Sequence, residues 1–208
     1  MKKMYYVLIA LLVLLLAACG SDSSDSNDEG ANEGNGDGQE EVSEDEGDDE
    51  EGESNLGTRS NPLPFGDTIT VDESIYDDES ESYDATVDFT LLEVIKGEEA
   101  NQIVADENQF NDEPAEGYEY VLVKVKAEVT SAETEDYYLF LDEYDFKFNS
   151  DSGDVYDNTS VVIPDVFTGN AYNGGIVEGY FANQIEIADD FKVSYEPMFG
   201  SSVFFEVE

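Results

Sequence analysis

The chain contains no histidine, no tryptophan and only one cysteine in 208 residues. These absences exclude the Ser-His-Asp and Cys-His arrangements of nucleophilic enzymes, and ordinary zinc sites, from any domain after Cys19. Intrachain disulfide bonds are excluded as well, so a folded domain must be stable through packing alone. The sequence also has no G-x-S-x-G motif and no phosphate-binding glycine loop. We therefore expect a protein that is not an enzyme and binds no cofactor.

Basic residues are also scarce, because eight lysines and arginines stand against 52 aspartates and glutamates, for a formal net charge of −44. Nucleic acid is excluded as a partner, since its phosphate backbone is bound by clustered positive charge. An excess of one sign destabilises a compact state through self-repulsion, and salt screens that repulsion. The composition therefore predicts an acidic, halophilic surface.

Long apolar runs are confined to the N-terminus, where thirteen residues from Met4 to Leu16 follow Lys2 and Lys3. A membrane-spanning helix needs about 20 apolar residues, so this run fits the core of a secretory signal better. The tetrad Leu-Ala-Ala-Cys that ends at Cys19 resembles the lipobox of bacterial lipoprotein signals. The resemblance implies a signal peptide over residues 1–18 and a lipid on Cys19, which places the protein at the extracytoplasmic face of the cell membrane. An ordinary secretory signal and an uncleaved anchor remain alternatives.

The segment after Cys19 is strongly acidic, with sixteen acidic residues and no aromatic residue between Gly20 and Ser60. Such a composition cannot bury enough apolar surface to offset the entropy of ordering. We predict that residues 19–60 comprise the lipidated cysteine and a disordered acidic tether. The tether would be a spacer that lifts a domain off the membrane, or low-complexity filler.

From residue 61 to residue 208 the sequence alternates between apolar and polar residues, which is typical of half-buried antiparallel strands. The clearest strands are YEYVLVKVKAEV, DATVDFTLLEVI and IVEGYFANQIEI, the last preceded by an Asn-Gly-Gly turn at 173–175. The residues expected to face inward are Val121, Val123, Val125, Ala127 and Val129 in the first strand, Ala85, Val87, Phe89 and Leu91 in the second, and Val177, Phe181, Ile185 and Ile187 in the third.

Five shorter strands are predicted at DTITV, YDFKF, VYDNTSVV, FKVSYEP and SVFFEV. Residues 149–154 indicate a hairpin loop with Gly153 in the left-handed region. The stretch GEEANQIVADENQF indicates a short helical turn. Seven or eight strands with little helix favour a β-sandwich.

The pieces NPLPFGDTITV, EGYEYVLVKVKAEVT, VEGYFANQIEI and VSYEPMF resemble the telokin-like, immunoglobulin-type domain of unknown function found in surface lipoproteins of Gram-positive bacteria. The resemblance implies an immunoglobulin-like antiparallel β-sandwich over residues 61–208. It implies a surface location, but no activity and no catalytic residues. The chain lacks the cysteine pair and core tryptophan of antibody-type domains, so the strand order remains open.

Acidic residues are the remaining candidates for catalysis, because paired carboxylates can cleave glycosidic bonds. In so acidic a chain, such groups are more simply interpreted as solvated loop charge, which makes a carbohydrate hydrolase the least favoured hypothesis. The groups considered are Asp142, Glu143 and Asp145, and Glu133, Glu135 and Asp136.

Calcium is the metal that carboxylates would favour. The segment 25–30 begins like an EF-hand loop, but its twelfth position is Gly36 where a bidentate glutamate is required. Asp151, Asp154 and Asp157 are weak calcium candidates in and after the hairpin loop, and a turn held by aspartate hydrogen bonds explains them equally well.

Aromatic residues are dense in the middle of the domain, which suggests either core packing or a platform for sugars or peptides. Core packing is the favoured interpretation. Adjacent residues of a strand point to opposite faces, so one of Tyr137 and Tyr138 is expected to be exposed. The residues concerned are Tyr118, Tyr120, Tyr137, Tyr138, Phe140, Tyr144, Phe146 and Phe148.

Together these features predict a lipid-anchored extracytoplasmic protein that is a non-enzymatic binding or interaction module at the cell surface. Its expected partners are the membrane, through the N-terminal lipid, and an unidentified protein or cell-wall component. The alternative is a structural or envelope-maintenance protein whose salt-adapted acidic surface holds water and counterions.

Overall fold

The computed structural model describes residues 55–207, which form nine strands, one α-helix and a short 3-10 turn. The strands are β1 (Thr68–Tyr76), β2 (Ser82–Lys96), β3 (Tyr118–Ala132), β4 (Leu139–Asp142), β5 (Phe146–Ser150), β6 (Thr168–Ala171), β7 (Ile176–Glu186), β8 (Phe191–Tyr195) and β9 (Val203–Phe205). The helix α1 spans Glu98–Glu107, and the 3-10 turn spans Glu143–Asp145. All strand pairs between these elements are antiparallel.

One layer is a four-stranded sheet in the order β1-β2-β3-β7. Its inner face is built by the alternation that the sequence shows, since Val87, Phe89, Val123 and Val125 are fully buried. The partners across the strands preserve this alternation, with Phe89 opposite Ala127. The three long strands predicted from the sequence are therefore confirmed.

The opposing layer consists of a three-stranded sheet, β5-β8-β9, and a two-stranded sheet, β4-β6. Aromatic rings fill the space between the layers. Phe146 stacks on Phe181 with ring centroids 4.4 Å apart, and Phe89 lies 4.2 Å from Tyr195. These contacts join β5 and β8 to β7 and β2. The fold is an all-β sandwich of antiparallel strands, as the sequence predicts.

The helix α1 covers the outer face of β3 near the start of that strand. Ala100 and Val104 pack there in a second, smaller apolar cluster. The helix thereby buries Tyr120 and Leu122, which the alternation places on the outer face of β3. The side-chain oxygen of Asn101 also accepts a hydrogen bond from the Tyr120 backbone N–H, at 2.8 Å. The helical turn predicted from the sequence is present and is ten residues long.

Two strand predictions need correction, and two short strands were not predicted. Ile187 is 59% exposed, because β7 ends at Glu186 and the chain turns at Ala188, which has φ 65°. The predicted strand VYDNTSVV forms only one isolated bridge, between Asn149 and Val155. The sequence does not predict the short strands β4 and β6, since each has only four residues and neither carries a clear period-two signal.

The domain boundary also lies earlier than predicted. Composition alone assigns residues 55–60 to the disordered tether, but they form a turn that is hydrogen-bonded to the domain. The Gly57 carbonyl accepts from Phe204 N–H at 2.7 Å, and Arg59 Nη2 donates to the Ser150 carbonyl at 2.7 Å. Leu63 continues the segment by pairing in parallel with Phe205. The N-terminal segment 55–63 is therefore an integral part of the sandwich.

The predicted signal peptide, Cys19 and residues 20–54 of the tether lie outside the described residues. Within residues 55–207, no helix has the length and apolar character needed to cross a membrane.

Candidate functional site

The outer side of the β4-β6 sheet carries three exposed aromatic side chains. Tyr138 is 45% exposed, Phe140 58% and Tyr172 49%. The intervening residues Leu139 and Leu141 are buried in the core, so the alternation of β4 assigns Phe140 to the solvent side. We call the outward side chains of this sheet and of the two residues that flank it, Tyr138 before β4 and Tyr172 after β6, the aromatic face; its six members are Tyr138, Phe140, Asp142, Thr168, Asn170 and Tyr172.

The register of β4 and β6 arranges the aromatic face in three cross-strand rows. Tyr138 and Tyr172 form the first row, with ring centroids 5.8 Å apart and ring planes at 80°. Phe140 lies opposite Asn170 in the second row. In the third row, Thr168 Oγ1 donates a hydrogen bond to Asp142 Oδ2 at 3.3 Å. The face thus runs from an aromatic end to a polar end.

The predicted difference between Tyr137 and Tyr138 is confirmed. Tyr137 turns inward and stacks on Tyr83 with ring centroids 5.7 Å apart, and Tyr138 turns outward. Of the other aromatics considered in the sequence, Tyr120, Phe146 and Phe148 are buried. Core packing therefore explains the buried members of this aromatic group. It does not explain Tyr138 and Phe140, which are exposed on the aromatic face.

The acidic group at the end of β4 belongs to a capping arrangement. Asp142 Oδ1 accepts a hydrogen bond from Tyr144 N–H at 3.0 Å and so caps the 3-10 turn. Burial raises the pKa of Glu143, and it also raises that of Asp145, with a further upward contribution from the neighbouring Asp142 charge. The other acidic group lies in an exposed loop, where Glu133 Oε2 accepts from Asp84 N–H at 3.2 Å.

The weak calcium candidates lie around the loop that follows β5. Asp151 forms an ion pair with Lys192, and Asp154 Oδ2 accepts from Ser152 Oγ at 3.2 Å. Asp157 is exposed. Gly153 has φ 114°, which matches the glycine turn predicted there. Across residues 55–207, no three acidic side chains are grouped in a way that could hold a metal ion, and the segment 25–30 lies outside that range.

The structure also contains a buried carboxyl that the sequence patterns above do not single out. Glu73 is 8% exposed and accepts a hydrogen bond from Tyr195 Oη at 2.5 Å. Burial raises the pKa of Glu73, partly offset by the Tyr195 hydrogen bond, and burial beside Glu73 raises the pKa of Tyr195. The sequence does carry a signal for it, because the alternation in DTITVDESIY places Glu73 on the same side as Val71 and Ile75.

No protein-family model matches the chain, and no curated protein is significantly similar to it. Among solved structures, the chain is similar to a candidate lipoprotein (ycdA) of Bacillus subtilis, at 14% sequence identity and a TM-score of 0.44. The similarity covers 65% of this chain and 37% of that protein. The chain therefore matches little more than a third of that protein's length.

Proposed function

We propose that the protein is a lipid-anchored, extracytoplasmic binding module that is not an enzyme and that contacts its ligand through the aromatic face. The observation that carries the proposal is the exposure of Phe140 on one two-stranded sheet and of Tyr138 and Tyr172 at the end of the same sheet. Their inward neighbours already supply the packing of this sheet. Exposed aromatic clusters with polar groups beside them are typical of binding surfaces.

The anchor is the first part of the proposal to test. Changing Cys19 to serine removes the sulfur to which the lipid would be attached, so the variant should be released from membranes or accumulate unprocessed. Membrane fractionation and the mass of the mature chain measure both effects. A serine variant that is processed and membrane-bound like the wild type would contradict the lipid anchor.

Binding through the aromatic face is the second part. The Y138A and F140A variants should lose most of the binding of the full chain to purified cell envelope, because each removes a large exposed ring. Phe110 is a matched control, since it is 83% exposed and lies in a loop outside the face. The F110A variant should bind like the wild type. Equal binding by all three variants would contradict the role of the face.

The charge of the chain supports a second candidate, a structural envelope protein. After Ser54, 36 acidic residues stand against six basic ones, which corresponds to −30. A surface of this kind binds counterions without a specific partner. Envelope association that depends on salt and ignores all three substitutions would favour this candidate over the binding module.

A further inference from the structure

We propose that the ligand of the aromatic face is a neutral oligosaccharide that lies along the three rows of the β4-β6 sheet. This inference rests on the proposed binding function and assigns its ligand class. Three properties of the face support it, namely the order of the rows, the charge of their side chains and the hydrogen bonds that these side chains already make.

An anionic ligand is disfavoured by charge. None of the six side chains of the aromatic face is basic, and the only charged one is Asp142. The 3-10 turn that follows the face adds Glu143 and Asp145. An anion at this surface would meet like charge, and Lys147, which follows the turn, already donates to the Tyr144 carbonyl at 2.7 Å and lies outside the face.

A cationic ligand would be attracted to the acidic domain as a whole, including Glu135 and Asp136 just before Tyr137, but the aromatic face has no cation site of its own. Within the face, a cation would bind best over the tyrosine rings of the first row, through cation–π interactions. The one carboxylate of the face, on Asp142, is four residues further along β4, or about 13 Å at the usual rise of a strand. Both of its oxygens already accept hydrogen bonds, one from Tyr144 and one from Thr168. A cation over the tyrosines would therefore have no counter-charge of this face beside it.

A neutral sugar chain fits the two kinds of group that the face offers, exposed aromatic rings and an uncharged amide. Exposed aromatic rings bind the apolar C–H faces of sugar rings, and Tyr138, Phe140 and Tyr172 supply three such rings. Asn170 lies directly opposite Phe140 and offers two N–H donors and one acceptor for ring hydroxyls. The rows repeat every two residues, or about 6.6 Å along the strands, so the three rows together span about 13 Å, which is more than the length of one sugar ring. An elongated ligand uses all three rows, whereas a single ring uses one.

The test compares oligosaccharides that differ in charge but share the same type of backbone. The full chain, in a detergent without a sugar headgroup, is titrated calorimetrically with chitohexaose and cellohexaose as neutral probes. The hexamer of chitosan is the cationic probe, and the β-1,4-linked hexamer of glucuronate, which keeps the cellulose backbone, is the anionic one. At least one neutral probe should bind, and Y138A or Y172A should weaken that binding about tenfold or more, while F110A changes nothing.

Two further substitutions separate the polar contacts from the stacking. N170A should weaken binding of the neutral probe, and N170D, which keeps the size of the side chain but removes its two N–H donors, should weaken it as well. The thermal melt of each variant is measured first, so that a loss of binding is not a loss of folding.

Preference for the chitosan hexamer or for the glucuronate hexamer would overturn the assignment of a neutral ligand. So would failure of every probe to bind. Envelope binding that survives removal of glycans and is abolished by protease, but still depends on Tyr138, would leave the proposed binding function intact and overturn only the oligosaccharide inference. Envelope binding that does not depend on Tyr138 would overturn both.

Discussion

Tyr195 Oη donates a hydrogen bond to Glu73 Oε1 at 2.5 Å, and this bond joins strand β8 of one layer to strand β1 of the other. The tyrosine ring itself packs 4.2 Å from Phe89 in the core. Glu73 lies on β1, which is an edge strand of its sheet within residues 55–207. Inward-pointing charge on an edge strand disfavours pairing with another chain, so Glu73 both links the layers and protects the edge.

Removing one partner of this bond should destabilise the domain more than removing both. Y195F keeps the ring but leaves the Glu73 carboxyl without its donor, which should cost about 1–3 kcal/mol. The double variant E73L/Y195F replaces both polar groups and should recover much of that loss. Urea unfolding of the two variants and the wild type measures the free energies. A Y195F variant as stable as the wild type would show that the bond contributes nothing.

Stability should rise as the pH falls from neutral. The pKa values of Glu73, Glu143 and Asp145 are raised by burial, so each of these carboxyls is charged at neutral pH at a cost to the folded state. Protonation as the pH passes down through the folded-state pKa removes this cost, and the gain is complete below the unfolded pKa, near 4. Two side chains act on the pKa of Glu73 besides burial: the Tyr195 hydrogen bond lowers it, and the Asp145 charge raises it.

Thermal melts between pH 7 and pH 4.5 measure this dependence. E73Q removes one of the three titrating carboxyls and should reduce the gain in melting temperature, leaving the part that comes from Glu143 and Asp145. A wild-type melting temperature that falls steadily over this range would contradict the sign of the effect.

Stability should also rise with salt. The Debye length shortens from about 30 Å at 0.01 M to about 3 Å at 1 M, so most of the repulsion among the acidic residues is screened over that range. Few attractive pairs can oppose this trend, since only six basic residues follow Ser54; one of them, Lys124, pairs with Glu178 at 2.7 Å. Melts of the full chain in graded NaCl test the expectation. Millimolar calcium at matched ionic strength is the control for a specific divalent site. A melting temperature that stays flat or falls from 0.01 to 1 M NaCl would contradict the halophilic prediction.

The N-terminal segment 55–63 should contribute directly to stability. A chain that begins at residue 61 loses the Gly57 and Arg59 hydrogen bonds, at roughly 0.5–1.5 kcal/mol each, whereas one that begins at residue 55 keeps them. G57A should also destabilise, since Gly57 has φ 83° and an added Cβ would lie 3.0 Å from Ile69 Cδ1. Urea unfolding measures the stability of the chain that begins at residue 55, the chain that begins at residue 61 and the G57A variant. If the chains that begin at residues 55 and 61 unfold at the same urea concentration, residues 55–60 contribute nothing to stability and belong to the tether.

The long strands were determined by the sequence alone. In β2 and β3 the apolar residues recur at every second position, and a strand places such residues on one face whatever its neighbours are. That is why Val87, Phe89, Val123 and Val125 lie in the core as expected. The absence of histidine, and of any cysteine beyond Cys19, likewise limits the chemistry open to the chain whatever its fold.

Tertiary structure decided the features that depend on distant partners. The run YYLFL from Tyr137 is apolar at every position, so its pattern could not select which side of β4 faces water. That choice was made by the packing of Leu139 and Leu141 into the core cluster, which is formed mainly by other strands. Tyr195 and Glu73 meet although 122 residues separate them. Tyr120 and Leu122 are buried because α1 folds back over them. Side-chain periodicity is local and can be read along one segment. Whether a face of that segment is buried depends on residues from another part of the chain that pack over it.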